Sequence, residues 1–180
     1  MSMRILAAIM LVWAEMAGTA LAADLDPQNT LLMDIPAGRV TIKLRPELAP
    51  KTVAQIKKLV GRHFYDGIIF HRVIAGFMAQ TGDPTGTGTG GSYEPNVPAE
   101  FTDTPFARGT LGMARSSDPN SGNSQFFICF DDQGCAGLQG QYTVWGQVVK
   151  GMEFVDKIAP GEPPPKPDKI LKLQLMANAN

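Results

Sequence analysis

Phe70-His71-Arg72-Val73-Ile74-Ala75-Gly76-Phe77-Met78-Ala79-Gln80-Thr81-Gly82-Asp83 sets one arginine and one glutamine among phenylalanine and methionine. The flanking runs Ile68-Ile69-Phe70 and Val73-Ile74 are β-branched and aromatic, which predicts strand. Ala75-Gly76 reads as the turn between two such strands. An arginine here costs rotamer entropy and desolvation unless it has a task. From this stretch alone, Arg72 is either a functional donor or a side chain snorkelling from a strand edge.

Around that stretch the chain reads as β-rich. It has 180 residues, 44% of them hydrophobic and 18% charged, enough for one domain with a sizeable core. Nineteen glycines and fourteen prolines favour turns and short strands over a helical bundle. The net charge of −1 gives no electrostatic case for nucleic acid or an anionic membrane.

At the N-terminus, Arg4 precedes an apolar run from Ile5 to Ala14, too short to span a bilayer comfortably. Ala20-Leu21-Ala22 offers a small-residue cleavage site, and Ala23-Asp24 opens the remaining chain. Residues 1–22 therefore read as a secretory signal peptide, and 23–180 as the single domain left after export. The expected location is the periplasm, or outside the cell, with no membrane span after cleavage. An oxidising compartment permits a disulfide between Cys129 and Cys135. Two free thiols remain the alternative, because pairing needs Cα atoms within about 7 Å.

Going outward, Asn29–Ile35 and Arg39–Leu44 around Pro36-Ala37-Gly38 predict a hairpin. Pro50 suits a first helical turn. Val53, Ile56, Leu59 and Val60 follow at helical spacing, and Gly61 is the expected C′ residue. Gly82 to Gly91 is a glycine-threonine loop with no G-K-[ST] and no amphipathic helix after it. That argues against a phosphate cradle and for backbone passing close to a ligand. Further strands are expected at Gly109–Ala114, Ser124–Phe130, Thr143–Val148 and Lys169–Leu175, with a short helix at Gly151–Ile158. Pro160–Pro167 reads as an extended surface connector. The sum is a mainly β domain: a closed antiparallel barrel with two helical lids.

The chemistry follows from what is missing as much as from what is present. Gly122-Asn123-Ser124-Gln125-Phe126 only partly matches G-x-S-x-G, so a nucleophile elbow is not supported. His63 and His71 are the two histidines, and no H-E-x-x-H is present. His71 reads as a hydrogen-bonded structural residue. With no nucleophile, metal cluster or carboxylate pair evident, no cofactor or metal is expected. The candidate pocket is apolar with a few orienting polar groups. It suits binding a peptide, or rotating an X-Pro amide, whose barrier of about 18–20 kcal/mol comes from C–N resonance. A guanidinium aimed at the prolyl nitrogen would favour the pyramidal, non-resonant state.

These motifs together resemble the cyclophilins, the peptidyl-prolyl cis-trans isomerases with an eight-stranded barrel. The likeness runs from about Asn29 to Leu175. It rests on Phe70 to Ile74 with Phe77 to Gln80, on Gly88-Thr89-Gly90-Gly91, on Leu111 to Ala114 and on Asn123 to Ile128. The resemblance implies that Arg72 is the catalytic arginine. Phe77, Met78, Phe127 and Leu138 would form the proline pocket, and Gln80 would orient Arg72 and contact the substrate backbone. Gln125 would reach the residue before proline. Arg115, flanked by Ala114 and Ser116, takes the place whose backbone holds the substrate chain. Where the eukaryotic pattern has a tryptophan and a histidine, this sequence has Gly137 and Tyr142. Tyr142 can still pack on the proline, but Gly137 supplies no indole donor. Weak cyclosporin binding with isomerase activity retained is the expectation. The compact Gly61–Gly67 connection and the export signal look bacterial. The expected partners are proline-containing polypeptides, the expected state a monomer, and the expected role the folding of exported proteins. A peptide-binding chaperone or assembly factor with incidental isomerase activity is the alternative.

Overall fold

The computed structural model describes residues 25–179. The expected signal peptide, residues 1–22, lies outside the described residues.

Eight strands form one antiparallel sheet. They are β1 (Thr30–Ile35), β2 (Gly38–Leu44), β3 (Arg72–Ile74), β4 (Met78–Thr81), β5 (Thr110–Met113), β6 (Phe126–Cys129), β7 (Val144–Lys150) and β8 (Lys172–Leu175). Their order across the sheet is β3-β4-β6-β5-β7-β2-β1-β8. Register shifts at Thr41/Ile42 and Leu111/Gly112 help the sheet curl. The expected closed barrel is corrected here to a half-barrel. Among the described residues β3 and β8 share no ladder. Their margins are linked only by an isolated Ile69–Lys169 bridge and by backbone bonds such as Phe70 N–H to Asp168 O, 2.9 Å. The run Ile68–Phe70, read from its side chains as strand, is spent on that seam, so β3 begins only at Arg72.

Helix α1 (Pro50–Gly61) buries Thr52, Val53, Ile56, Leu59 and Val60 as the periodicity predicts. Ala49 gives it no side-chain cap. Instead the distant Glu100 carboxylate accepts from the N–H groups of Lys51 (3.0 Å) and Thr52 (2.9 Å) at the positive helix end. Gly61 is not the C′ residue: it is still helical, and the left-handed position falls on His63, φ 57°. The second helix, α2, covers only Met152–Val155.

Inside the curl the core is aromatic at its centre. Phe126 packs edge-to-face on Trp145 at 5.2 Å and on Tyr65 at 5.5 Å, and all three rings are fully buried. The Tyr65 hydroxyl donates to Ser124 O at 3.0 Å, pinning the entry to β6 to the core. Among the described residues no helix is long and apolar enough to cross a membrane.

Candidate functional site

Strand register assembles the site. Arg72 pairs with Gln80, Gln80 with Phe127, and Phe127 with Gly112. Because directly paired residues share a face, this row carries a guanidinium, an amide, a phenyl ring and a gap across four strands. The neighbouring row Val73–Ala79–Ile128–Leu111 points the other way and is wholly core. A further row, Ile74–Met78–Cys129, returns to the site face.

Gly112 supplies the gap. A Cβ there would lie 2.3 Å from Phe127 Cζ and 2.7 Å from Phe106 Cε1. Only a glycine lets Phe127 stack on Phe106 at 5.7 Å and take Tyr142 edge-on at 5.6 Å. The Cys129–Cys135 disulfide, left open by the sequence, is formed with Cα atoms 6.1 Å apart. It lies beside Met78, Phe127 and Val144 in the apolar cluster under the site. The short turn that follows bonds Leu138 N–H to Cys135 O at 2.9 Å and Tyr142 N–H to Leu138 O at 3.2 Å. Both pocket-wall residues thus hang from the bridge.

Two cavities open on this face. The smaller, about 150 Å³, is lined by Arg72, Phe77, Met78, Gln80 and Phe127, with Leu138, Tyr142, Ala114 and Arg115 completing it. The wider, about 350 Å³, shares Gln80, Ala114 and Arg115 and adds Ser116 and Gln125. Every site residue named from the sequence borders one of the two. Ser121, which the sequence did not single out, and Asn123, quoted only as the start of a motif, also border the wider cavity. The Ser121 hydroxyl accepts from Ser116 N–H at 2.8 Å, and Asn123 ties Ser92 to Glu94 through its side chain. Nothing in the local pattern marks Ser121 beyond the loop it sits in.

The polar partners differ from expectation in two places. Gln80 does not orient Arg72. Its Nε2 donates to Gln125 Oε1 at 2.9 Å, and Gln125 Nε2 donates onward to Gly88 O (3.0 Å) and Gly90 O (2.8 Å). Arg72 instead gives its Nε to Glu162 Oε2 at 2.8 Å. His71, expected to be hydrogen-bonded, is buried, and among the described residues neither ring nitrogen has a hydrogen-bond partner. Arg115 bonds Gln141 O and Ser116 O and lays its guanidinium over the Tyr142 ring at 4.6 Å, so it braces the wall between the cavities.

The glycine-threonine loop is folded around one buried carboxylate. Asp83 Oδ1 accepts from Thr85 N–H and hydroxyl (2.8 and 2.7 Å), and Oδ2 from Gly88 N–H (2.6 Å) and Gly90 N–H (3.1 Å). Burial pushes this carboxyl up, but those hydrogen bonds outweigh it and bring it down to about 2. Burial lowers the His71 imidazole below its ordinary value, against the opposing pull of Asp83.

Residues 30–175 match a family model described as cyclophilin type peptidyl-prolyl cis-trans isomerase/CLD. A probable peptidyl-prolyl cis-trans isomerase of Brucella suis biovar 1 is 50% identical over 189 residues, covering 96% of this chain and 95% of that one. The crystal structure of a cyclophilin from Hirschia baltica superposes with a TM-score of 0.79 at 30% identity, covering 87% of this chain and 77% of that one. A Cryptosporidium parvum cyclophilin type peptidyl-prolyl cis-trans isomerase, crystallised in the presence of dipeptide ala-pro, gives 0.75 at 28% identity, covering 84% and 99%.

The two titrations fix the sign of an acid response. Both native pKa values are depressed, so each contribution is present above the unfolded value and lost as pH falls through the native one. Stability should decline first below 6.5 as His71 is forced to charge, and again between 3.8 and about 2 as Asp83 is protonated. Urea midpoints from pH 8 to pH 2 check this: Asp83→Asn should shrink the second decline, to which Asp34, Glu47 and Glu94, also lowered by their basic partners, contribute the remainder, at a cost of about 2 kcal/mol near neutrality. An unchanged acid limb in that variant would contradict the role given to Asp83.

Proposed function

The chain belongs to the cyclophilin-type peptidyl-prolyl cis-trans isomerases, and we propose that Arg72 carries its catalysis. The observation behind the assignment is the paired row that sets Arg72 and Gln80 beside the cavity floored by Phe77, Met78 and Phe127. The prolyl ring enters that smaller cavity, against the phenyl rings, Met78 and Leu138. The chain preceding proline runs past Ala114, Arg115 and Ser116 and over the wider cavity, within reach of Gln125. Gln80, held by Gln125, offers its remaining polar edge to the substrate backbone.

Rotation about the C–N bond breaks no bond to a heavy atom and needs no proton transfer. What the protein must do is prefer the twisted amide. Twisting ends the resonance and leaves a lone pair on a pyramidal nitrogen. A guanidinium N–H directed at that lone pair stabilises the twisted state more than the planar ones. Each ~1.4 kcal/mol of that preference gives tenfold in rate. The apolar floor keeps water from the prolyl side of the amide, and the half-exposed guanidinium reaches it from the rim of the cavity.

We place the working site in the periplasm or outside the cell, on X-Pro bonds of exported chains that are still folding. The apolar run ahead of Ala20-Leu21-Ala22 and the Cys129–Cys135 bridge support this reading.

In a protease-coupled assay on X-Pro peptides, Arg72→Ala should lower kcat/KM on the order of 100-fold. Equal rates from the variant and the wild type would remove Arg72 from the mechanism. Isothermal titration with cyclosporin should give a dissociation constant weaker than micromolar, given Gly137 and Tyr142 where the eukaryotic pattern has a tryptophan and a histidine; sub-micromolar binding contradicts it. Fractionated cells should yield a mature protein whose N-terminal sequence begins at Ala23, whereas an intact Met1 would refute the export reading.

A further inference from the structure

We propose that Glu162, on the proline-rich connector, is a positioning residue for the isomerase reaction: it holds the Arg72 guanidinium by one nitrogen and leaves the other two for the substrate. The inference rests on the reading of Arg72 as the donor.

Arg72 Nε donates to Glu162 Oε2 at 2.8 Å, and the two side chains are 40% and 54% exposed. An ordinary pair that exposed contributes little, since solvent screens it and two long side chains must be ordered to make it. This pair is not ordinary, because the backbone beside it is already fixed. Val73 N–H bonds Gly161 O at 2.8 Å, and Gly161 N–H returns the bond to Val73 O at 2.9 Å. Each of those residues adjoins one member of the ion pair. The reciprocal bridge therefore sets Arg72 and Glu162 opposite one another before their side chains meet.

The connector is also stiff. Gly161 has φ +147°, and a Cβ there would lie 2.5 Å from Pro164 Cα, so glycine alone lets the chain double back at this point. Pro163, Pro164 and Pro165 follow with their φ angles fixed by their rings. The carboxylate is thus presented by a segment with little freedom to lose. The same bridge covers the outer edge of β3, which would otherwise leave unpaired backbone groups beside the site.

The chemistry of the contact decides its effect. A guanidinium carries Nε and two terminal nitrogens, all donors. Glu162 occupies Nε, and among the described residues the terminal nitrogens make no protein hydrogen bond. Arg72 itself borders the smaller cavity. Two effects then compete. The carboxylate damps the positive charge, which slows the reaction. It also removes the rotamer freedom of a long side chain, which speeds it. Half-exposed groups sit in high effective dielectric, so the damping is screened. The freezing of rotamers is not screened, and it wins.

Steady-state kinetics on an X-Pro peptide separate the outcomes, with melting temperatures confirming that each variant is folded. Glu162→Ala should lower kcat about tenfold with KM changed by no more than about twofold. Glu162→Gln keeps an oxygen that accepts from Nε and should stay within about threefold of wild type. In an Arg72→Ala background, Glu162→Ala should have no further effect, because Glu162 acts only through Arg72. An unchanged or faster Glu162→Ala enzyme, or a Gln variant as slow as the Ala variant, overturns the positioning role. If Arg72→Ala itself retains full activity, the reading of Arg72 fails, and that result is distinct from a normal Glu162→Ala enzyme beside an inactive Arg72→Ala one.

Discussion

The pairing register of β3, β4, β6 and β5 is the constraint on which the rest of the structure depends. Side chains alternate between faces with a period of two, so a slip of one residue would exchange the two faces. In the observed register Val73, Ala79, Ile128 and Leu111 complete the core. Arg72, Gln80 and Phe127 are thereby driven to the opposite face. Burying the apolar row is what orders the strands. Presentation of an arginine and a glutamine beside an apolar floor follows from it. The core thus bears the cost of placing a charged donor next to phenylalanine, and the gap at Gly112 lets the aromatic floor lie flat beneath it.

Two separate polar systems flank that floor. On one side Asp83 gathers the glycine loop, Gln125 ties the loop to β6, and Gln80 is held by Gln125. On the other, among the described residues, Glu162 alone bonds the Arg72 side chain. The glutamine and the arginine are cross-strand neighbours, yet each is fixed by a different distant segment. Substrate entering the smaller cavity meets two donors whose positions are set independently, which is the condition for one to follow the amide and the other the backbone.

Much of this was legible in the sequence because it is local or periodic. The helical spacing of Val53, Ile56, Leu59 and Val60 reproduces the observed burial, and the apolar positions Val40, Ile42 and Leu44 of β2 are buried, although Thr41 between them is buried too. The motif around Arg72 supplies Arg72, Phe77, Met78 and Gln80, and the run from Asn123 to Ile128 supplies Asn123, Gln125 and Phe127, and these border the two cavities. What escaped depends on long-range closure. Glu162 lies 90 residues from Arg72, in a segment whose composition says only that it is extended. The open seam between β3 and β8 could not be read from Ile68–Phe70, whose side chains are those of any buried strand. The partner of Gln80 depends on where a glycine loop folds, and Asp83, which folds it, looks in sequence like any turn aspartate. The cysteine pair needed a Cα separation, which spacing along the chain does not give.

The most direct test of the account is a crystal structure of the protein with a bound X-Pro peptide. The prolyl ring should lie in the smaller cavity against Met78, Phe127 and Leu138, with a terminal Arg72 nitrogen within hydrogen-bond distance of the prolyl amide and the preceding residues over the wider cavity beside Arg115. A prolyl ring seated elsewhere, or an Arg72 side chain turned away from the amide, would contradict it.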